Sequence, residues 1–123
     1  MITGAVNARS EAVVTLKVRG PGGTETVVDT VVDSGFSSSL TLSAATVIAL
    51  GLVWNSGGNA ILADGTVCRY DIYEAEVEWD GAWRKVLVSA IGDEPLLGMR
   101  LLAGHELRIE VKPNGLVQIV PLP

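Results

Sequence analysis

Ala12-Val13-Val14-Thr15-Leu16-Lys17-Val18-Arg19 alternates apolar and polar side chains, stops at Gly20-Pro21-Gly22-Gly23, and resumes as Thr26-Val27-Val28-Asp29-Thr30-Val31-Val32. Period-two alternation broken by a glycine- and proline-rich turn predicts a β-hairpin. Ser39 to Leu42 reads as a short strand. Ser43 to Leu50 reads as a short helix, with Ser43 as N-cap and Gly51 as its stop. Gly57-Gly58-Asn59 opens a second β region: Ala60-Ile61-Leu62 climbs to a hairpin tip at Asp64-Gly65, Tyr70 to Trp79 returns, and Asp80-Gly81 turns into Trp83 to Ala90. Leu96 to Leu102 is apolar around one glycine, and Ala103-Gly104-His105 stops a short helical segment there. Glu106 to Val111 and Leu116 to Val120 form the last strands, joined through Pro113-Asn114-Gly115, with Pro121 and Pro123 ending the pairing. The expected class is all-β with one or two short helices.

Composition narrows the picture. With 123 residues, 48% hydrophobic and 19% charged, the chain suits one folded domain spanning residues 1–123. Only 5% of residues are aromatic, so the core is expected to be aliphatic. A net charge of −5 without any run of Lys and Arg argues against a nucleic-acid or membrane-surface partner. No stretch approaches the roughly 20 apolar residues of a membrane helix, and the N-terminus lacks a basic segment leading into an apolar one. A soluble, cytoplasmic protein is the expectation. One cysteine, Cys68, and one histidine, His105, rule out an internal disulfide and the usual N/S metal sites within one chain.

The candidate chemistry lies at Val31-Val32-Asp33-Ser34-Gly35-Phe36, where a carboxylate ends an apolar β-branched run and Gly35 permits a sharp turn into a cleft. Asp, Ser and Gly are also common turn residues, so this segment alone favours an ordinary acidic turn. Asp64 reads as a hairpin-turn residue, and Asp29 and Asp80 as solvated acids. His105 reads as a polar residue at a helix end, with no G-x-S-x-G elbow to accompany it. Cys68 lies in a strand without a histidine near it in sequence. Trp54, Trp79 and Trp83 suit core packing or a dimer surface.

Taken with the glycine-tipped hairpin and the later Leu96-Leu97-Gly98, Val31 to Phe36 resembles the retropepsin-like aspartic proteases, including their small bacterial single-domain relatives. The first motif matches the family's apolar-apolar-Asp-Thr/Ser-Gly signature and the second its later apolar-apolar-Gly. The resemblance implies a closed acid-protease β-barrel forming one half of a two-fold dimer. It implies that Asp33, Ser34 and Gly35 are catalytic and that Leu96, Leu97 and Gly98 lie beneath their loop. It makes Leu62, Ala63, Asp64, Gly65 and Thr66 a flap over the substrate, with Phe36, Leu96, Leu97 and Gly98 as further substrate-binding positions. The retroviral members follow Asp-Thr-Gly with a small residue and two acids, whereas this chain has Phe36-Ser37-Ser38.

Carboxylate-driven peptide hydrolysis needs two acids together, one ionised to take a proton from water and one protonated to polarise the carbonyl. One Asp-Ser-Gly loop per chain therefore implies a homodimer with Asp33 from each copy, cutting a peptide or protein substrate without metal or organic cofactor. The competing reading is a catalytically silent dimerisation or peptide-binding module of the same fold. A third is a structural β domain.

Overall fold

A computed structural model describes residues 1–123. Ten strands and two short helices follow in the order β1 (Ile2–Val6), β2 (Ala12–Arg19), β3 (Glu25–Val32), β4 (Leu40–Leu42), α1 (Ala44–Leu50), β5 (Val53–Ile61), β6 (Val67–Trp79), β7 (Ala82–Ala90), β8 (Leu96–Leu97), α2 (Met99–Leu102), β9 (His105–Ile109) and β10 (Leu116–Pro121). The protein is mostly β, as its period-two pattern requires. The strands form one sheet in the order β5-β6-β7-β4-β8-β3-β2-β1-β10-β9. A further antiparallel pairing, Val18 with Val77 and Arg19 with Glu76, joins β2 to β6 across the two arms.

Alternation sorts the side chains. Val14, Leu16 and Val18 of β2 are buried while Thr15 and Lys17 face water. They meet Leu40, Leu42, Val77, Val88, Leu97, Leu101, Val117 and Ile119 in one aliphatic cluster. Burying each such side chain contributes about 1.5–3 kcal/mol before the entropy of ordering it is charged against the gain. Trp79 is the one tryptophan in that core, while Trp54 is exposed. Trp83 carries the Arg19 guanidinium 3.9 Å above its ring. The helix signals hold at the atomic level: the Ser43 hydroxyl accepts from the Thr46 N–H at 3.2 Å, and Gly51 ends α1 in the left-handed region at φ 61°.

Four features depart from the sequence reading. Strand β1 was not signalled, because Thr3 and Gly4 thin the alternation to Ile2 and Val6; pairing with β2 and β10 makes it a strand. Strand β5 begins at Val53 rather than near Gly57, and its register slips between Trp54 and Ser56. Strand β9 stops at Ile109, two residues short of Val111. Pro121 does not end the final pairing: it lies opposite His105, and the Leu122 N–H still donates to Gly104 O at 2.9 Å. The imide nitrogen of Pro121 therefore faces the side where β1 has already run out, and no ladder bond is lost.

Candidate active site

Strand β3 ends at Val32, and the chain turns through residues 33–39 before re-entering the sheet as β4. It does not return beside β3. Strand β8 lies between them, parallel to β3 (Val31 with Leu96, Val32 with Leu97) and antiparallel to β4 at Leu40 and Leu97. The loop is thus hung across the end of β8.

Backbone bonds fix it there. The Asp33 N–H donates to Leu97 O at 2.9 Å and the Val31 N–H to Pro95 O at 2.9 Å, so β8 carries the acid at a set height. The opening of α2 holds the far side, with Gly98 N–H on Ser39 O at 2.9 Å, Met99 N–H on Phe36 O at 2.8 Å and Arg100 N–H on Ser38 O at 3.2 Å. Helix N-terminal donors without intrahelical partners thereby find them in the loop. Contact is so close that only glycine fits at 98: a Cβ there would lie 2.1 Å from Ser38 O and 2.5 Å from the Phe36 ring.

The loop surface carries the candidate chemistry. Asp33 is half-buried, and its Oδ1 accepts the Gly35 N–H at 2.9 Å. A Cβ at Gly35 would crowd that oxygen at 3.2 Å. Ser34 is exposed, and its hydroxyl makes no hydrogen bond within the chain. Phe36 is half-buried with its ring against Gly98. Leu96 is half-buried, but Leu97 is fully buried and Gly98 is buried. Leu97 points into the aliphatic core and Gly98 is covered by the loop.

The expected flap is a β5–β6 ribbon. Strand β6 meets β7 only from Asp71 onward, which leaves Val67 to Tyr70 paired with β5 alone. At its tip the Leu62 N–H donates to Thr66 O at 2.8 Å and the Gly65 N–H to Leu62 O at 2.9 Å, with Gly65 at φ 86°. The Asp64 Oδ1 accepts both the N–H and the hydroxyl of Thr66, at 2.9 and 2.6 Å. Those bonds, the hydroxyl's foremost, hold the Asp64 carboxyl below its ordinary 3.8. Leu62, Ala63, Asp64, Gly65 and Thr66 are all exposed, and no hydrogen bond ties them to the Asp33 loop.

Two neighbours of Asp33 escaped the sequence reading. Extending the β2–β3 register places Glu11 opposite Asp33. Its carboxylate accepts from Asn7 Nδ2 at 2.9 Å and meets Arg9 Nε at 3.1 Å. The Asn7 bond first, then the Arg9 charge, keeps it below its ordinary 4.5. Thr41, 1% exposed, bonds through its hydroxyl to the Leu96 N–H of β8 and to Glu94 O just before it. A hydroxyl amid the apolar Leu40-Thr41-Leu42 was the available signal, since buried polar groups need partners.

No group of three or more His, Cys, Asp or Glu side chains could hold a metal ion, and no helix is long and apolar enough to cross a membrane. The groove of about 400 Å³ lined by Arg19, Val53, Glu74 and Leu87 lies at the end of β2 remote from Asp33.

An Asp-Ser-Gly loop clasped by a parallel Leu-Leu-Gly strand within an all-β chain defines a retropepsin-like fold. Among solved structures, the EIAV protease complexed with the inhibitor HBY-793 matches with a TM-score of 0.55 and 17% sequence identity, over 78% of this chain and 88% of that one. At that identity the likeness concerns the fold. No protein-family model and no curated protein matches the sequence.

Proposed function

We propose that the chain is an aspartic endopeptidase that works as a homodimer, with its barrel, the ring β2-β3-β8-β4-β7-β6, as one half of a two-fold architecture. The observation that carries the reading is the seating of Asp33: a carboxylate left accessible on a loop whose backbone is held from below by Leu97 and Gly98. Pre-organised support under a reactive group is what positioned acid–base chemistry needs. Asp33 of each copy meets across the two-fold axis, and the pair shares one proton because adjacent carboxylates resist double ionisation. The ionised member takes a proton from water while the protonated one polarises the scissile carbonyl. Ser34, with its hydroxyl unengaged in one chain, bonds to the opposing loop and keeps the acids in register. Leu62 to Thr66 close over a bound peptide, with Phe36 and Leu96 flanking it.

The test is cleavage of a mixed peptide library by wild type and Asp33→Asn, run alongside sedimentation. The expected result is a dimer whose cleavage disappears in the variant while its unfolding midpoint stays put, because the amide oxygen still accepts the Gly35 N–H. Equal cleavage by both proteins would sink the assignment. A dimer that binds peptides and cuts none would establish the silent peptide-binding module in its place.

A further inference from the structure

Strand β4 pairs with β8 through a single residue pair, Leu40 with Leu97, and then diverges. The carbonyls of Pro95 and Leu97 face β3, where they accept from Val31 and Asp33. On the opposite side of β8, toward β4, Gly98 N–H finds a backbone acceptor in Ser39 O. The Leu96 N–H does not. It donates to Thr41 Oγ1 at 2.8 Å, and the same hydroxyl donates to Glu94 O at 3.3 Å. One side chain thus makes both halves of a missing ladder rung, accepting where a strand carbonyl would accept and donating where a strand N–H would donate.

We propose that Thr41 is a positioning residue for Asp33. Its hydroxyl fixes the segment 94–96, the segment fixes Leu97 O, and Leu97 O holds the Asp33 N–H. The role rests on the endopeptidase reading for its activity readout and stands apart from it for its structural one. Leu40 and Leu42, which flank Thr41 in the chain, and Leu97, which follows Leu96, are all buried, so their side chains offer the Leu96 amide no polar replacement. Removing the hydroxyl therefore deprives a half-buried donor and a carbonyl of their partner together.

Amide hydrogen exchange on the full chain tests this with Thr41→Val, close to isosteric, and Thr41→Ser, which keeps the hydroxyl. In Thr41→Val, exchange at Leu96 and at Asp33 is expected to quicken by about tenfold or more, while Ile119 stays as in wild type. Thr41→Ser should remain within about threefold of wild type at all three amides. If Thr41→Val does not fold, Thr41→Ala, which adds no bulk, supplies the same deletion. Peptide cleavage should show kcat lowered about ten- to a hundredfold with KM little changed, and recovery in Thr41→Ser. The proposal is overturned if Leu96 opens while Asp33 keeps its wild-type protection, or if Thr41→Ser is as damaged as Thr41→Val. A wild-type chain that cleaves nothing counts against the endopeptidase reading alone, because the exchange result at Asp33 still decides the role of Thr41.

Discussion

The Asp33 loop and the Leu62–Thr66 tip both turn on an aspartate followed closely by a glycine, Asp33-Ser34-Gly35 and Asp64-Gly65, yet they are built in opposite ways. The loop is held by four backbone bonds, to Leu97 on one side and from Gly98, Met99 and Arg100 on the other, over a fully buried leucine. The tip has only its own bonds and faces water throughout. Two acidic glycine turns of similar composition are separated by what lies underneath them. One is tied to the sheet beneath it, and the other is tied only to itself.

The sharpest way to break that contrast is to add a methyl group on each side of it. Gly98→Ala puts a Cβ into Ser38 O and the Phe36 ring, with backbone on both sides unable to yield. It should cost at least about 3 kcal/mol or prevent folding, as overpacking against rigid atoms does. Gly57→Ala on the ribbon meets nothing within 4 Å, so its denaturation midpoint should match wild type. Similar losses for both would end the distinction.

A smaller effect comes from trimming apolar side chains. Leu97→Ala should cost about 2–5 kcal/mol through the cavity it leaves. Leu62→Ala, at a position 49% exposed, should stay within about 0.5 kcal/mol in chemical denaturation while weakening peptide cleavage through KM. A Leu62 variant that unfolds easily would mean the tip is structural.

The smallest effect is a pH response confined to the tip. Asp64 titrates below its ordinary 3.8 in the folded protein because it accepts from Thr66. A depressed carboxylate contributes order that is complete above the ordinary value and is lost as pH falls through the folded one. Between about pH 6 and pH 2, Thr66 amide protection should fall in that acid window, while the Asp33 amide, bonded to a backbone carbonyl that does not titrate, keeps its protection. Loss at Asp33 before Thr66 would mean that the tip is held more firmly than the loop.

Much of this was legible in the chain. The alternation of Ala12 to Val32 set the first hairpin, and Ser43 with Gly51 set the helix ends, because those signals are local and strong. Strand β1 and the first half of β5 were not, since Thr3-Gly4 and Asn55-Ser56-Gly57 carry no clean period and become strands only through their partners. Leu96-Leu97-Gly98 stood out as a motif, but its work lies under the acid. The family resemblance implied that place, but the residues alone do not, because pairing partners more than sixty residues apart leave no local trace. Thr41 was harder still: its hydroxyl matters because β4 diverges from β8, a fact of geometry with no counterpart in composition.

The insertion of β8 between β3 and β4 has a temporal side. Residue 97 is polymerised 64 positions after residue 33, so throughout synthesis of β5, β6 and β7 the Asp33 amide has no Leu97 carbonyl to hold it. The slot between β3 and β4 must stay unfilled until the chain that closes it exists, and closing so long a loop is the slow kind of contact to make. The acid is made long before the strand that gives it its place.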